Sequence, residues 1–152
     1  METAITAKKI RHLQLAPPLC IPTGTSLSDT VFQMQKEKKS CVLICREDRC
    51  IGIFTERDYL EKIVGNESGN SRLIDDFMSP DPKTLTLEST VGEAIRLMHE
   101  TGYRNVPLVD RDGRCAGLLQ IRSIIDFLAE LYPEEVLNAA RRGQKFSEPD
   151  GA

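Results

Sequence analysis

Three residues in the first half of the chain have the types and the spacing for binding chemistry. In "GIFTERDYL" (52–60), Thr55, Arg57 and Asp58 follow a glycine and an apolar run, where a strand should turn into a helix. A carboxylate is acceptor-only and can take a bidentate pair of donors, so Asp58 can receive both vicinal hydroxyls of a ribose. A threonine hydroxyl and the free N–H groups of a helix start suit a phosphate, and Arg57 adds charge. The spacing sets the two kinds of contact about one helical turn apart. The same residues also have a plainer use. Thr55-x-x-Asp58 is capping-box spacing, and it recurs as Ser26-x-x-Asp29 and Thr90-x-x-Glu93, where capping suffices. No histidine, metal cluster or activated nucleophile stands beside the pair in sequence, so catalysis is not indicated.

The elements that position these residues occur twice. "CVLICREDRCIGIFTERDYL" (41–60) lies over "VPLVDRDGRCAGLLQIRSII" (106–125) at an offset of 65 without a gap, matching Arg46 with Arg111, Cys50 with Cys115, Gly52 with Gly117 and Arg57 with Arg122. Upstream, at an offset of 64, "PPLCIPTGTSLSDTV" (17–31) lies over "DPKTLTLESTVGEAI" (81–95). Each copy reads as a short extended piece after a proline (19–22; 84–87), an amphipathic helix, a β-hairpin and a closing helix. Glu47-Asp48 and Asp112-Gly113 mark the hairpin tips, and Gly102 marks a helix C′ stop. Pro107 cannot donate to a ladder, so its strand should be an edge or begin irregularly.

The fold class is therefore α+β, a tandem β-α-β-β-α repeat. A unit of about 50 residues buries too little surface to stand alone, so the two copies should pack sheet against sheet. The expected layout is a lead-in helix over 1–16, repeat one over 17–64, a linker over 65–76 that begins "GNESGNS", repeat two over 77–131, and a C-terminal helix and polar tail over 132–152. In copy two Gln120 and Ser123 replace Thr55 and Asp58, yet the apolar helix "IRSIIDFLAEL" still follows. The fold alone does not demand Thr and Asp at this turn.

Composition excludes several classes. Hydrophobic residues make up 40% and charged residues 28%, as in a globular protein, and the formal net charge is −3. That balance and 5% aromatic residues argue against a nucleic-acid surface. No apolar run reaches membrane-span length and "METAITAKKIRHLQL" lacks a secretion-signal core, so a cytoplasmic address is expected. The five cysteines (20, 41, 45, 50, 115) include no CxxC pair. Cys41, Cys45 and Cys50 match no zinc spacing, and Cys41 and Cys45, in an apolar strand, read as small buried hydrophobes; no metal is expected. His12 and His99 have no evident catalytic partner.

The tandem units, the G-h-h-T-x-x-D pattern (h, apolar) closing copy one, and the lead-in "LIDDFMSPDPKTLTLESTVGEAIRLMHETGYRNVPLVD" resemble the CBS domain pair, or Bateman module, over roughly residues 10 to 130. The resemblance implies a regulatory module without catalysis of its own that binds an adenosine-containing ligand such as AMP, ADP, ATP or S-adenosylmethionine. This is a regulatory ligand rather than a cofactor. It further implies a homodimer of four repeats that signals to an effector protein. Carried over by position, Asp58 would hold the ribose, Thr55 and Arg57 would face the phosphates, and Ile53 and Phe54 would flank the base or sugar. Met78, Lys83, Thr84, Tyr103, Arg104 and Asn105 would line the rest of the cleft. The mirror cleft, with Gln120 and Ser123, lacks the charged bidentate acceptor, so one nucleotide per chain is expected. The competing expectation is a homodimeric assembly domain that binds no nucleotide and uses Thr55 and Asp58 only as a cap.

Overall fold

A computed structural model describes residues 3–65 and 72–134, together with positions 138, 141 and 142. Most of the expected helix and tail over 132–152, and the "GNESGNS" stretch apart from Gly65, lie outside the described residues.

Repeat one runs β1 (Cys20–Pro22), α1 (Leu27–Glu37), β2 (Cys41–Arg46), β3 (Arg49–Thr55) and α2 (Glu56–Lys62). β4 (Ser79–Pro80) follows, and repeat two then supplies α3 (Val91–Thr101), β5 (Asn105–Val109), β6 (Cys115–Gln120) and α4 (Ile121–Leu131). One sheet has the order β1-β2-β3-β4, and the second is the β5-β6 hairpin. β1 is parallel to β2, with Cys20 opposite Leu43. In repeat two the corresponding extended piece, expected over 84–87, shrinks to one parallel bridge between Leu85 and Leu108.

Local chemistry explains the boundaries. Ser26 caps α1 by accepting from Asp29 N–H, and Thr90 with Glu93 forms a capping box on α3. Gly102 ends α3 at φ 73°, the left-handed conformation expected of a C′ glycine. The first hairpin turns through Glu47 and Asp48, both at positive φ, and the second through Gly113 at φ 80°.

The lead-in does not form a longer helix. It makes a turn and one 3-10 turn, Ile10–His12, and then runs extended. Its apolar residues serve the distant repeat. Ile10 and Leu13 pack with Val91, Ala94, Met98, Val106 and Leu119 in repeat two, while Ile10 N–H donates to Ser89 O at 2.9 Å. In exchange, Ile74 and Phe77, at the end of the linker and the start of repeat two, pack with Ile21, Leu27, Ile44 and Phe54 in repeat one. Each small core is thus completed by a segment that precedes the other repeat in sequence. A third cluster, Cys41, Leu43 and Leu118 with Cys45, Cys50, Ile53 and Cys115 against it, lies where the two sheets meet. This is the sheet-on-sheet contact that units of this size require.

Candidate functional site

β3 delivers Ile53 and Thr55 to the C-terminal edge of the first sheet, and α2 begins at once. Thr55 N–H donates to Asp58 Oδ2 at 3.0 Å, and its hydroxyl donates to the same oxygen at 3.2 Å. Asp58 N–H donates back to Thr55 Oγ1 at 3.3 Å, which completes a capping box. Lys62 Nζ stands 3.3 Å from Asp58 Oδ1 and donates to Phe77 O at 2.8 Å. Oδ2 is therefore taken up by Thr55, whereas Oδ1 faces one ammonium and retains acceptor capacity. The Asp58 side chain is only 15% exposed.

The pair faces a cleft of about 530 Å³ between the repeats. That size lies within the roughly 300–1,000 Å³ typical of small-molecule sites. From repeat one the cleft takes Ile53, Thr55, Arg57 and Asp58, and from repeat two Tyr103, Arg104 and Asn105. These are seven of the eleven residues carried over by resemblance. The other four stand elsewhere. Phe54 is fully buried in the core of repeat one, so its side chain does not reach a ligand. Met78 packs against the same core and covers Gly52, where an added Cβ would collide with its sulfur. Lys83 and Thr84 are exposed and lie outside the lining, where Ser79 and Pro82 stand instead. Arg57, although it lines the cleft, has its Nε bound to Glu61 Oε1 at 3.0 Å, with its side chain 82% exposed.

Ser40 lines the cleft without having been singled out in the sequence. At the repeat offset of 65 it is the counterpart of Asn105, so internal symmetry could have found it. Glu56 and Glu61 add two carboxylates to the same wall.

In the mirror position, Gln120 starts α4 without any side-chain cap, and its Nε2 donates to Asn105 Oδ1 at 3.4 Å. Ser123 is buried at 8% exposure. Neither presents a carboxylate. The two helices also differ in what holds them. α4 buries Ser123 and Ile124, whereas α2 has seven residues and buries none. α4 can do without a cap because packing stabilises it; α2 has less of that support, with Tyr59 packed only partly buried against the core of repeat one. Comparison of the copies therefore does not by itself separate a cap from a ribose clamp.

A second cluster lies at the opposite end of the hairpins. The Sγ atoms of Cys20, Cys45 and Cys115 all lie within 4.8 Å of one another, and those of Cys45 and Cys115 are 3.0 Å apart. Hydrogen bonds from Cys45 and then Cys115, working against partial burial, lower the Cys20 thiol to about 6. The bond to Cys20, together with burial, pushes the Cys45 thiol up. Burial raises Cys41 to about 12.

The model for the CBS domain matches this chain twice, over residues 10–65 and 74–130. With a mixed α+β architecture and that double match, the chain belongs to the CBS-domain family and carries the domain as a tandem pair. Among curated relatives, the uncharacterized protein MK0525 of Methanopyrus kandleri is 30% identical over 84% of this chain and 63% of its own length. The mitochondrial CBS domain-containing protein CBSX3 of Arabidopsis thaliana is 30% identical over 80% of this chain and 62% of its own. The chain thus spans just under two thirds of each. Among solved structures, CBSX2 in complex with AMP superposes with a TM-score of 0.68 at 20% identity, covering 81% of this chain and 97% of that one. The CBS domain pair of MJ0100, in complex with 5-methylthioadenosine and S-adenosyl-L-methionine, superposes with a TM-score of 0.70 at 20% identity, covering 80% and 99%. Among the described residues, no helix is long and apolar enough to cross a membrane.

Proposed function

We propose that this chain is a non-catalytic, cytoplasmic regulatory module that binds one adenosine-containing ligand in the cleft between its repeats and relays occupancy to a partner protein. The observation that carries the reading is the junction of Asp58 with Tyr103, Arg104 and Asn105 in one cleft of about 530 Å³. A carboxylate with a spare acceptor oxygen suits the ribose, and Tyr103 offers an aromatic face to a base. AMP in CBSX2 and S-adenosyl-L-methionine in MJ0100 support this ligand class. The ligand can shift a partner only as far as the bound and free shapes differ in affinity for it. Isothermal titration with AMP, ADP, ATP and S-adenosylmethionine tests the reading.

A second reading, a homodimeric assembly domain without a nucleotide, is favoured by two observations. Thr55 and Asp58 complete a cap on a helix with no fully buried residue. Beside it, Val31, Met34, Tyr59 and Leu60 line an apolar groove of about 490 Å³ between α1 and α2. Phe32, at 63% exposure, and Leu60, at 66%, belong to the same helices, and dimerisation would cover them in either reading. A nucleotide titration without heat, on a protein that sediments as a dimer, selects this second reading.

A further inference from the structure

At the tip end of both hairpins, three cysteines from three strands of the two repeats converge. Cys20 is on β1, Cys45 on β2 and Cys115 on β6. The main chain, rather than rotamer choice alone, brings them together. Pro22 pairs with Cys45 in the parallel ladder, which fixes β1 beside β2. Cys115 N–H donates to Asp48 O at 2.8 Å, and Arg49 bridges Arg114, which fixes the start of β6 against the first hairpin. The spacing in sequence gives no hint of this, because the ligands come from two β-strands of one repeat and one of the other.

We propose that Cys20, Cys45 and Cys115 form a three-thiolate site for a single thiophilic d10 cation, zinc(II) or copper(I). Thiolate sulfur selects soft and borderline ions over calcium or magnesium. Metal–sulfur bonds of about 2.3 Å at tetrahedral angles put ligand sulfurs about 3.8 Å apart. The sulfurs here lie between 3.0 Å and 4.8 Å from one another, so small side-chain rotations bring them onto a common ion. Cys45 and Cys115 are half-buried and Cys20 is exposed, which leaves an entry path and a fourth position open to water. Cys50 is opposite Cys45 in the hairpin and its thiol neighbours that of Cys115, but its sulfur is turned to Gly52 O at 3.5 Å and is not one of the three that lie within 4.8 Å of one another. Binding replaces thiol protons, which leave to solvent, and changes no oxidation state. The bound ion would tie β1 and β2 of repeat one to β6 of repeat two, at the end of the sheets away from the nucleotide cleft.

The test uses the whole chain, fully reduced, stripped with chelator and kept free of oxygen. It is titrated separately with cobalt(II) as a spectroscopic probe, zinc(II) and copper(I), with retained metal counted after gel filtration. The expected result is one equivalent per chain, a near-ultraviolet thiolate-to-cobalt band, and loss of that band when zinc is added. Cys20→Ser, at an exposed position that leaves the fold intact, weakens retention at least about tenfold. Cys41→Ala, which removes a seam sulfur that is not one of the three ligands, leaves retention unchanged. Failure of the reduced chain to retain an equivalent of any of the three ions overturns the proposal, as does unaltered binding in both Cys20→Ser and Cys45→Ser. A chain that retains no metal but forms a Cys45–Cys115 disulfide in air also overturns it, and marks the pair as a redox element instead.

Discussion

Asp58 Oδ2 accepts both the backbone N–H of Thr55, at 3.0 Å, and its hydroxyl, at 3.2 Å, so the two residues that would hold a nucleotide also start α2. Function and local stability are coupled at this turn. Any variant here must be read for both.

Thr55→Ala removes the cap from a helix with no buried residue, and should destabilise the protein by about 1 kcal/mol. Gln120→Ala, at the repeat-two position where no side-chain cap exists, should cost less than half of that. Urea denaturation of both variants beside the parent measures the difference. Equal losses would mean that the Thr55 cap contributes nothing special.

Gly52 opens the G-h-h-T-x-x-D pattern because Met78 lies where a Cβ would project. Gly52 also pairs with Pro80, so crowding at this point disturbs the β3-β4 contact that attaches the post-linker segment to the first sheet. Gly52→Ala should cost about 1–3 kcal/mol, by overpacking. Met78→Ala in the same chain should recover part of the loss, which a double-mutant cycle by denaturation would detect.

Asp75, at the end of the linker, ties it to the β1-α1 turn. Burial alone would raise its pKa, but hydrogen bonds from the Thr23 hydroxyl and from Gly24 N–H, the latter at 2.8 Å, outweigh burial and lower it. A carboxyl lowered in the folded state stabilises the protein above its unfolded pKa, and that contribution is lost as pH falls through the folded value. Stability should therefore decline in acid below about pH 4, and Asp75→Asn should decline less while starting slightly lower at neutral pH, the gain being screened by solvent. Denaturant midpoints measured across that range test the sign.

The repeat, the hairpin tips, the caps at Ser26 and Thr90 and the stop at Gly102 were legible because each rests on local chemistry. The exchange of Ile10 and Leu13 for Ile74 and Phe77 between the cores was not, since an apolar residue carries no mark of which distant core it fills. Seven of the proposed cleft residues do meet in one cleft, whereas Phe54 faces the core, because alternation along β3 sends neighbouring side chains to opposite faces. The cysteine cluster escaped notice because ligand spacing in sequence is informative only when the ligands share a local motif.

Asp58 is the proposed ribose ligand. That role is tested most directly by isothermal titration of the protein with AMP, ADP, ATP and S-adenosylmethionine, beside Asp58→Ala whose folding is verified by its melting transition. About one ligand per chain is expected for at least one of the four, with a loss of about 1.5–3 kcal/mol, more than tenfold, in the variant. Absence of binding by the folded parent, or equal binding by Asp58→Ala, would contradict it and leave Thr55 and Asp58 as a helix cap.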